Sequence, residues 1–327
     1  MKRMILITVL LSVTLLTGCG SKTETNSEAS PNVSVPDKLE IAVVPKGLTH
    51  QFWLSVKKGA ETAAEEFDAT IIWQGPPKET EIAQQISIVQ DMITRDVDAI
   101  VLAACDANAL VSIVTQADNR DIPVIMVDSG LNSDIPKSLV ATDNVEGGAI
   151  AARTLADLIG GSGKVGLIPF VPGAATSELR EQGFREALPE LPGLNLVAVN
   201  YSQSDAAKGM NVTSDMITAH PDIKGIFVAN EPGAIGAAQA LRTAGKVGDI
   251  KLVAFDASGE ELKALEDGVI QALVVQNPFK MGYEGVKAAV ASVNGEEVPE
   301  RIDTGVTVIT LDNLNEPEIQ ALLSGGK

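Results

Sequence analysis

Cysteine is almost absent from this sequence, with Cys19 and Cys105 the only two in 327 residues. If Cys19 is consumed elsewhere, no internal disulfide can form, and stability must come from a large apolar core. Histidine is equally scarce. His50 and His220 stand far apart, without Cys or carboxylates at metal-ligand spacing, so no metal and no other cofactor is expected. Positive charge is in short supply, with 25 Lys plus Arg against 43 Asp plus Glu. So acidic a chain repels phosphate and anionic lipid, which argues against nucleic acid as a partner. Catalytic signatures are missing too. There is no GxGxxG after the first apolar run, no P-loop and no GxSxG elbow. An enzyme reading has no nucleophile–base pair to stand on. Aromatic residues make up only 3%, which makes the adjacent Phe52 and Trp53 worth following.

Long apolar runs are also lacking, except at the start. Lys2 and Arg3 precede an apolar run from Met4 to Leu16, too short to span a bilayer and of the length of a signal-peptide h-region. It ends in Leu16-Thr17-Gly18-Cys19, which resembles the bacterial lipoprotein box, whose Cys becomes the lipid-bearing first residue. Residues 1–18 are therefore expected to be a signal peptide and Cys19 to carry lipid. Residues 20–38, polar, small and Pro-interrupted, cannot bury apolar area, so 19–38 is expected to be the lipidated Cys and a flexible tether. Cleavage would remove Lys2 and Arg3, taking the formal charge from −18 to about −20. The expected arrangement is a folded body outside the cytoplasm, lipid-anchored to the cell membrane.

From residue 39 onward, short β-branched apolar runs alternate with longer amphipathic ones. Strand candidates are 39–45, 69–74, 99–104, 123–129 and 138–143, then 164–170, 194–200, 225–230, 251–256 and 270–277. Each is nearly continuous in apolar residues, as a strand buried on both faces should be. Helical periodicity fits 52–67, 79–95, 107–119, 144–160, 177–188, 205–219, 233–244, 259–267 and 278–294. Alternating strands and helices predict an α/β fold with parallel sheets covered on both faces. Two series of about 130 residues predict two doubly wound, Rossmann-like lobes.

Ligands of open α/β sheets bind beyond the carboxyl ends of the strands. Standing there are His50, Gln51, Phe52 and Trp53; Asp128 and Ser129; Thr176, Ser177, Glu178 and Arg180; Ser204 and Asp205; Asn230 and Glu231; Asp256; and Gln276 and Asn277. Carboxylates accept from adjacent hydroxyls, amides both donate and accept, and an aromatic face covers the C–H side of a sugar ring. The collection suits a polyol. Phe52 either stacks in such a cleft or belongs to the core with Val56 and Phe67, whereas Trp53 lies one residue off that face. Asp128, Asp205 and Asp256 could each be helix caps or turn formers. Trp73 could add a second wall or sit in the sheet.

These residues carry a family likeness. Its marks are Phe52-Trp53, Ile122-Pro123-Val124-Ile125 before Asp128, Thr142-Asp143-Asn144 with Gly147-Gly148, Arg180 with Gly183-Phe184, Ala219-His220-Pro221-Asp222, Ala229-Asn230-Glu231, and Val253-Ala254-Phe255-Asp256. From residue 39 to about 312 the chain resembles the periplasmic solute-binding proteins of the ribose-binding-protein family, the sugar-capturing components of ABC importers. The resemblance implies two lobes joined by three hinge crossings: 39–142 with 277–305, and 143–276 with 306–327. It implies ligand positions at His50, Phe52, Trp53, Asp128, Ser129, Glu178, Ser204, Asn230, Asp256 and Gln276. Ribose binders are similar to one another in carrying Arg where this chain has Ser129 and Glu178, Asn where it has His50, and an aromatic where it has Ser204. Two guanidinium donors are thus expected to be missing, which puts ribose itself in doubt. The function implied is a monomeric receptor that hands a pentose, hexose or related polyol to ABC permease subunits. The alternative is a sensor reporting that sugar to a membrane kinase or chemoreceptor. An intracellular repressor would need a helix-turn-helix where residues 1–38 offer a signal sequence.

Overall fold

The structure is a computed structural model that describes residues 38–325, so the expectations for residues 1–37 lie outside the described residues. The first series runs β1 (Glu40–Val44), α1 (Gln51–Glu66), β2 (Thr70–Trp73), α2 (Ile82–Arg95), β3 (Ala99–Leu102), α3 (Val111–Asp118), β4 (Val124–Val127) and β5 (Ser138–Ala141). The second runs α4 (Asn144–Leu158), β6 (Gly163–Ile168), α5 (Ala175–Ala187), β7 (Leu194–Val199), α6 (Ala206–Ala219), β8 (Ile223–Val228), α7 (Glu231–Thr243), β9 (Lys251–Phe255), α8 (Gly259–Glu266) and β10 (Ala272–Gln276). Then come α9 (Pro278–Val293), β11 (Arg301–Asp303), β12 (Val306–Ile309) and α10 (Pro317–Leu323).

Two six-stranded sheets result, ordered β11-β5-β4-β3-β1-β2 and β12-β10-β9-β8-β6-β7. All pairings are parallel except the antiparallel β10–β12 pair at one edge. The predicted two α/β lobes are what the chain forms. Every residue of β3 and β4 is buried, which accounts for their unbroken apolar sequence. The predicted helix at 107–119 starts only at Val111. Asp106 Oδ1 accepts from the N–H groups of Asn108 and Ala109, a side-chain turn that holds this stretch out of the helix.

The chain passes between the sheets three times: after β5, after β10, and between β11 and β12. Two crossings are bonded together. Thr142 Oγ1 donates to Gly305 O at 3.0 Å and lies 3.1 Å from Thr304 Oγ1. The remaining crossing is held by α9, which packs on α1 at backbone distance. A Cβ on Gly59 would run into the carbonyl of Phe279, and one on Gly282 into that of Val56. Only glycine permits that approach. Among the described residues no helix is long and apolar enough to cross a membrane.

Candidate functional site

The carboxyl ends of β1 and β4 in one lobe face those of β6, β8, β9 and β10 in the other. Between them lies a cavity with about 280 Å³ of atom-free space. Asp128 and Asp256, each the first residue after its strand, both take a left-handed backbone, with φ of 58° and 84°. Such strain gathers at functional sites, and Asp tolerates it better than most residues. Neither caps a helix. Ser258 caps α8 in a reciprocal box with Glu261, and Asp205 caps α6.

Lys46, 2% exposed, is the hub of the first wall. Its Nζ lies 2.8 Å from Asp128 Oδ2, 2.8 Å from Ser129 Oγ and 2.9 Å from Thr176 Oγ1 of the opposite lobe. Its ammonium also stands 5.6 Å from the Trp53 ring and 5.4 Å from the Phe170 ring. Burial opposes the charge, but the Asp128 and Glu79 carboxylates outweigh it and raise the lysine's pKa. Glu79, 6% exposed, accepts from Trp53 Nε1 at 2.9 Å through Oε1, which also lies 3.6 Å from His50 Nδ1. Burial works against its charge too, yet Lys46, His50 and the Trp53 N–H together hold it down to about 2. Burial likewise works against the His50 proton, and Glu79 overcomes it, so the imidazole titrates above its ordinary value.

The second wall centres on Arg180. Its guanidinium stacks 3.6 Å from the Phe255 ring centroid, and it donates to Asn144 Oδ1 at 2.8 Å and to Ala229 O at 2.7 Å. Asp256 accepts from Gln276 Nε2 at 2.7 Å and from the Glu231 N–H at 3.1 Å. Burial pushes the Asp256 carboxyl up, with Arg180 opposing. Asn230 caps α7 and donates to Ser204 Oγ at 2.8 Å. Two buried acceptors on the cavity lining, Glu79 Oε2 and Gln276 Oε1, have no hydrogen-bond partner among the described residues.

The lobes also touch directly. His50 makes no side-chain cap at α1; instead Glu231 reaches across and accepts from the N–H groups of Gln51 and Phe52, both at 3.1 Å. One helix start is thus satisfied by a carboxylate of the other lobe. A second cross-lobe bond runs from Ala107 N to Gly173 O at 3.0 Å.

Of the expected ligand positions, His50, Phe52, Trp53, Asp128, Asn230, Asp256 and Gln276 line the cavity. Phe52 and Trp53 meet edge to face, with centroids 4.8 Å apart, and Trp53 is both core and wall at 1% exposure. Ser129 is fully buried behind the wall, where it positions Lys46 and Asp128. Ser204 braces Asn230 from outside the cavity. Glu178 does not face the cavity. It is exposed on α5 and accepts from the Gly173 N–H. Two residues along a helix is about 200°, so Arg180 points the other way, with Thr176, Ser177, Gly183 and Phe184 on the buried face. The expected shortage of cationic donors is corrected in part: Arg180 brings a guanidinium to the lining, while Lys46 brings a second charge whose N–H groups are taken by Asp128, Ser129 and Thr176. Phe170, after β6, supplies the aromatic that Ser204 lacks. Trp73 packs at the end of β2 against the core of the first lobe. Lys46, Glu79 and Phe170 escaped sequence reasoning. Arg180 stood among the residues read beyond the strand ends, but the resemblance put the ligand position at Glu178 instead.

The model of the periplasmic binding protein domain matches residues 41–297. The ribose import binding protein of Bacillus subtilis (strain 168) is 30% identical over 311 residues, covering 95% of this chain and 99% of that protein. The D-allose-binding periplasmic protein of Escherichia coli (strain K12) is 32% identical over 269 residues, covering 80% and 86%. Among solved structures, a carbohydrate transporter solute binding protein from Agrobacterium radiobacter in complex with D-arabinose superposes with a TM-score of 0.86 at 35% identity, covering 88% of this chain and 99% of that one. An ABC transporter solute binding protein from Agrobacterium vitis with bound D-fucose gives 0.84 at 39%, covering 86% and 99%.

Proposed function

The chain belongs to the periplasmic binding protein domain family, and from that premise we propose that it is an extracytoplasmic receptor that captures a monosaccharide between its lobes and delivers it to an ABC importer. The observation that carries this reading is the cavity itself. It is bounded by both lobes, by the Phe52, Trp53 and Phe170 rings, and by acceptors at Asp128, Asp256 and Gln276 with donors at Arg180 and Asn230. Aromatic rings and polar groups of both lobes converging on one cleft suit a single sugar ring. The sugars named for the relatives and neighbours, ribose, D-allose, D-arabinose and D-fucose, are all monosaccharides.

The lobes, 39–142 with 277–305 and 143–276 with 306–327, close about the three crossings, and the ligand stabilises the closed form through contacts that only the closed form makes. One copy supplies both walls, so a monomer suffices. The motif ending in Cys19 supports a lipid anchor, with 19–38 as leash. A thermal-shift screen against D-ribose, D-arabinose, D-allose, D-fucose, myo-inositol and D-glucosamine tests the reading. A sugar at one hundred times its Kd stabilises by about 2.7 kcal/mol. No shift with any of them refutes it.

A further inference from the structure

We propose that Glu79 is a specificity-determining ligand residue, whose Oε2 accepts a hydrogen bond from one sugar hydroxyl lying at the Trp53–His50 corner of the cleft. The inference rests on the reading of the cleft as a sugar site. Glu79 comes from the loop that leaves the carboxyl end of β2, six residues beyond the strand and two before the N-cap of α2. Its Oε1 is spoken for by Trp53 Nε1 at 2.9 Å, whereas its Oε2 is buried and unpartnered among the described residues.

Neither neighbouring cation fills the gap: His50 Nδ1 faces Oε1, at 3.6 Å, rather than Oε2. An ammonium has three N–H donors, and Lys46 directs its three at Asp128, Ser129 and Thr176. Lys46 therefore adds to the field that keeps Glu79 ionised without supplying a hydrogen bond. An ionised, buried oxygen on the lining of the interlobe cavity calls for a donor brought by the ligand. A ring hydroxyl is such a donor, and the Trp53 ring that Glu79 holds in place is part of the same wall. Deoxygenation or epimerisation at that carbon leaves Oε2 unpartnered again, and this is how the residue selects.

The test uses the full-length protein in detergent and isothermal titration calorimetry. The ligands are whichever of D-ribose, D-arabinose, D-allose and D-fucose binds tightest, and its monodeoxy analogues. Glu79→Gln keeps an acceptor for Trp53 and loses the charge. It is expected to weaken the parent sugar by about 10- to 100-fold, the worth of a hydrogen bond to a charged group. For one monodeoxy analogue the variant and the wild type should bind alike, while the loss persists for the others. Glu79→Asp, which keeps the charge but retracts the oxygen, should show the same pattern and serves if the Gln variant folds poorly. A loss uniform across all analogues would assign Glu79 to positioning Trp53 and overturn the proposal, as would no loss at all. If none of the four sugars binds the wild type, the sugar reading falls and this assignment falls with it.

Discussion

Glu231→Gln should uncouple the lobes without dismantling either. The carboxylate accepts two N–H groups from the first turn of α1 at 3.1 Å each. A hydrogen bond to a charged group is worth about 1.5–3 kcal/mol, and an anion at a helix start adds about 0.3–1 kcal/mol. The amide retains one acceptor, presents N–H to the other donor and carries no charge. Set against this loss is a gain: burial and the nearby Asp256 already push the Glu231 carboxyl above its ordinary value, so neutralising it relieves some strain. The net weakening of closure is therefore about 1–3 kcal/mol, or roughly 5- to 150-fold in apparent Kd at 1.4 kcal/mol per decade. The loss should be nearly the same for every sugar that binds, because the contact joins the lobes. Calorimetry gives the affinities, and small-angle X-ray scattering at saturating sugar should show that the variant still compacts. A Kd within twofold of wild type, or a loss that varies from sugar to sugar, would refute the reasoning.

Asp256→Ala and Asn230→Ala should each abolish measurable sugar binding while leaving circular dichroism unchanged; unaltered affinity in both would remove the cleft assignment. Gly59→Ala should lower Tm by forcing α1 off α9, at about 1–3 kcal/mol for an overpacked contact, and differential scanning calorimetry reads it. Glu79 should contribute to acid stability, since its folded pKa, about 2, lies below its ordinary value. That contribution is present above about pH 4.5 and lost as pH falls towards 2. The gap in urea midpoint between wild type and Glu79→Gln should shrink over that window. Asp256 and Glu261, raised by burial, act in the opposite sense in both proteins and cancel in the comparison.

Much of the fold could be read from the sequence because a parallel strand buried on both faces writes itself as an unbroken apolar run, as AIVL and VIMV do, and amphipathic stretches separate the runs. The hinge strands β11 and β12 were not legible. RID and VTVI are short edge pieces whose partners, β5 and β10, lie far back in the chain. In the site, most residues at strand ends were legible by topology, although Phe170, two positions past β6, was not. Glu178 came from the resemblance alone, which takes no account of helix phase: two positions on, Arg180 shares the buried face with Ser177 and Phe184. Lys46 and Glu79 were invisible for another reason. Each is a charged residue in a loop, ordinarily solvated, and only the tertiary fold shows that each buries the other's counter-charge.

The polar groups of the cleft fall into two sets with opposite effects on closure. One set is satisfied by the other lobe: Lys46 by Thr176, Glu231 by the start of α1, and Ala107 by Gly173. The other set, Glu79 Oε2 and Gln276 Oε1, is buried without a partner among the described residues. An unpartnered buried acceptor costs about 1–3 kcal/mol. The cross-lobe bonds therefore draw the lobes together, and the unpartnered acceptors hold an empty closed form back. A ligand can shift an equilibrium only by its differential affinity for the two states. A sugar whose hydroxyls donate to both acceptors removes the second set's penalty and leaves the first set's gain. On this account the same groups that choose the sugar also decide whether the receptor stays closed. A sugar missing one of the two hydroxyls should then leave a larger open fraction even at saturation, and small-angle scattering of the saturated complex measures that fraction directly. Full compaction with such an analogue would separate recognition from closure and show the division into two sets to be wrong.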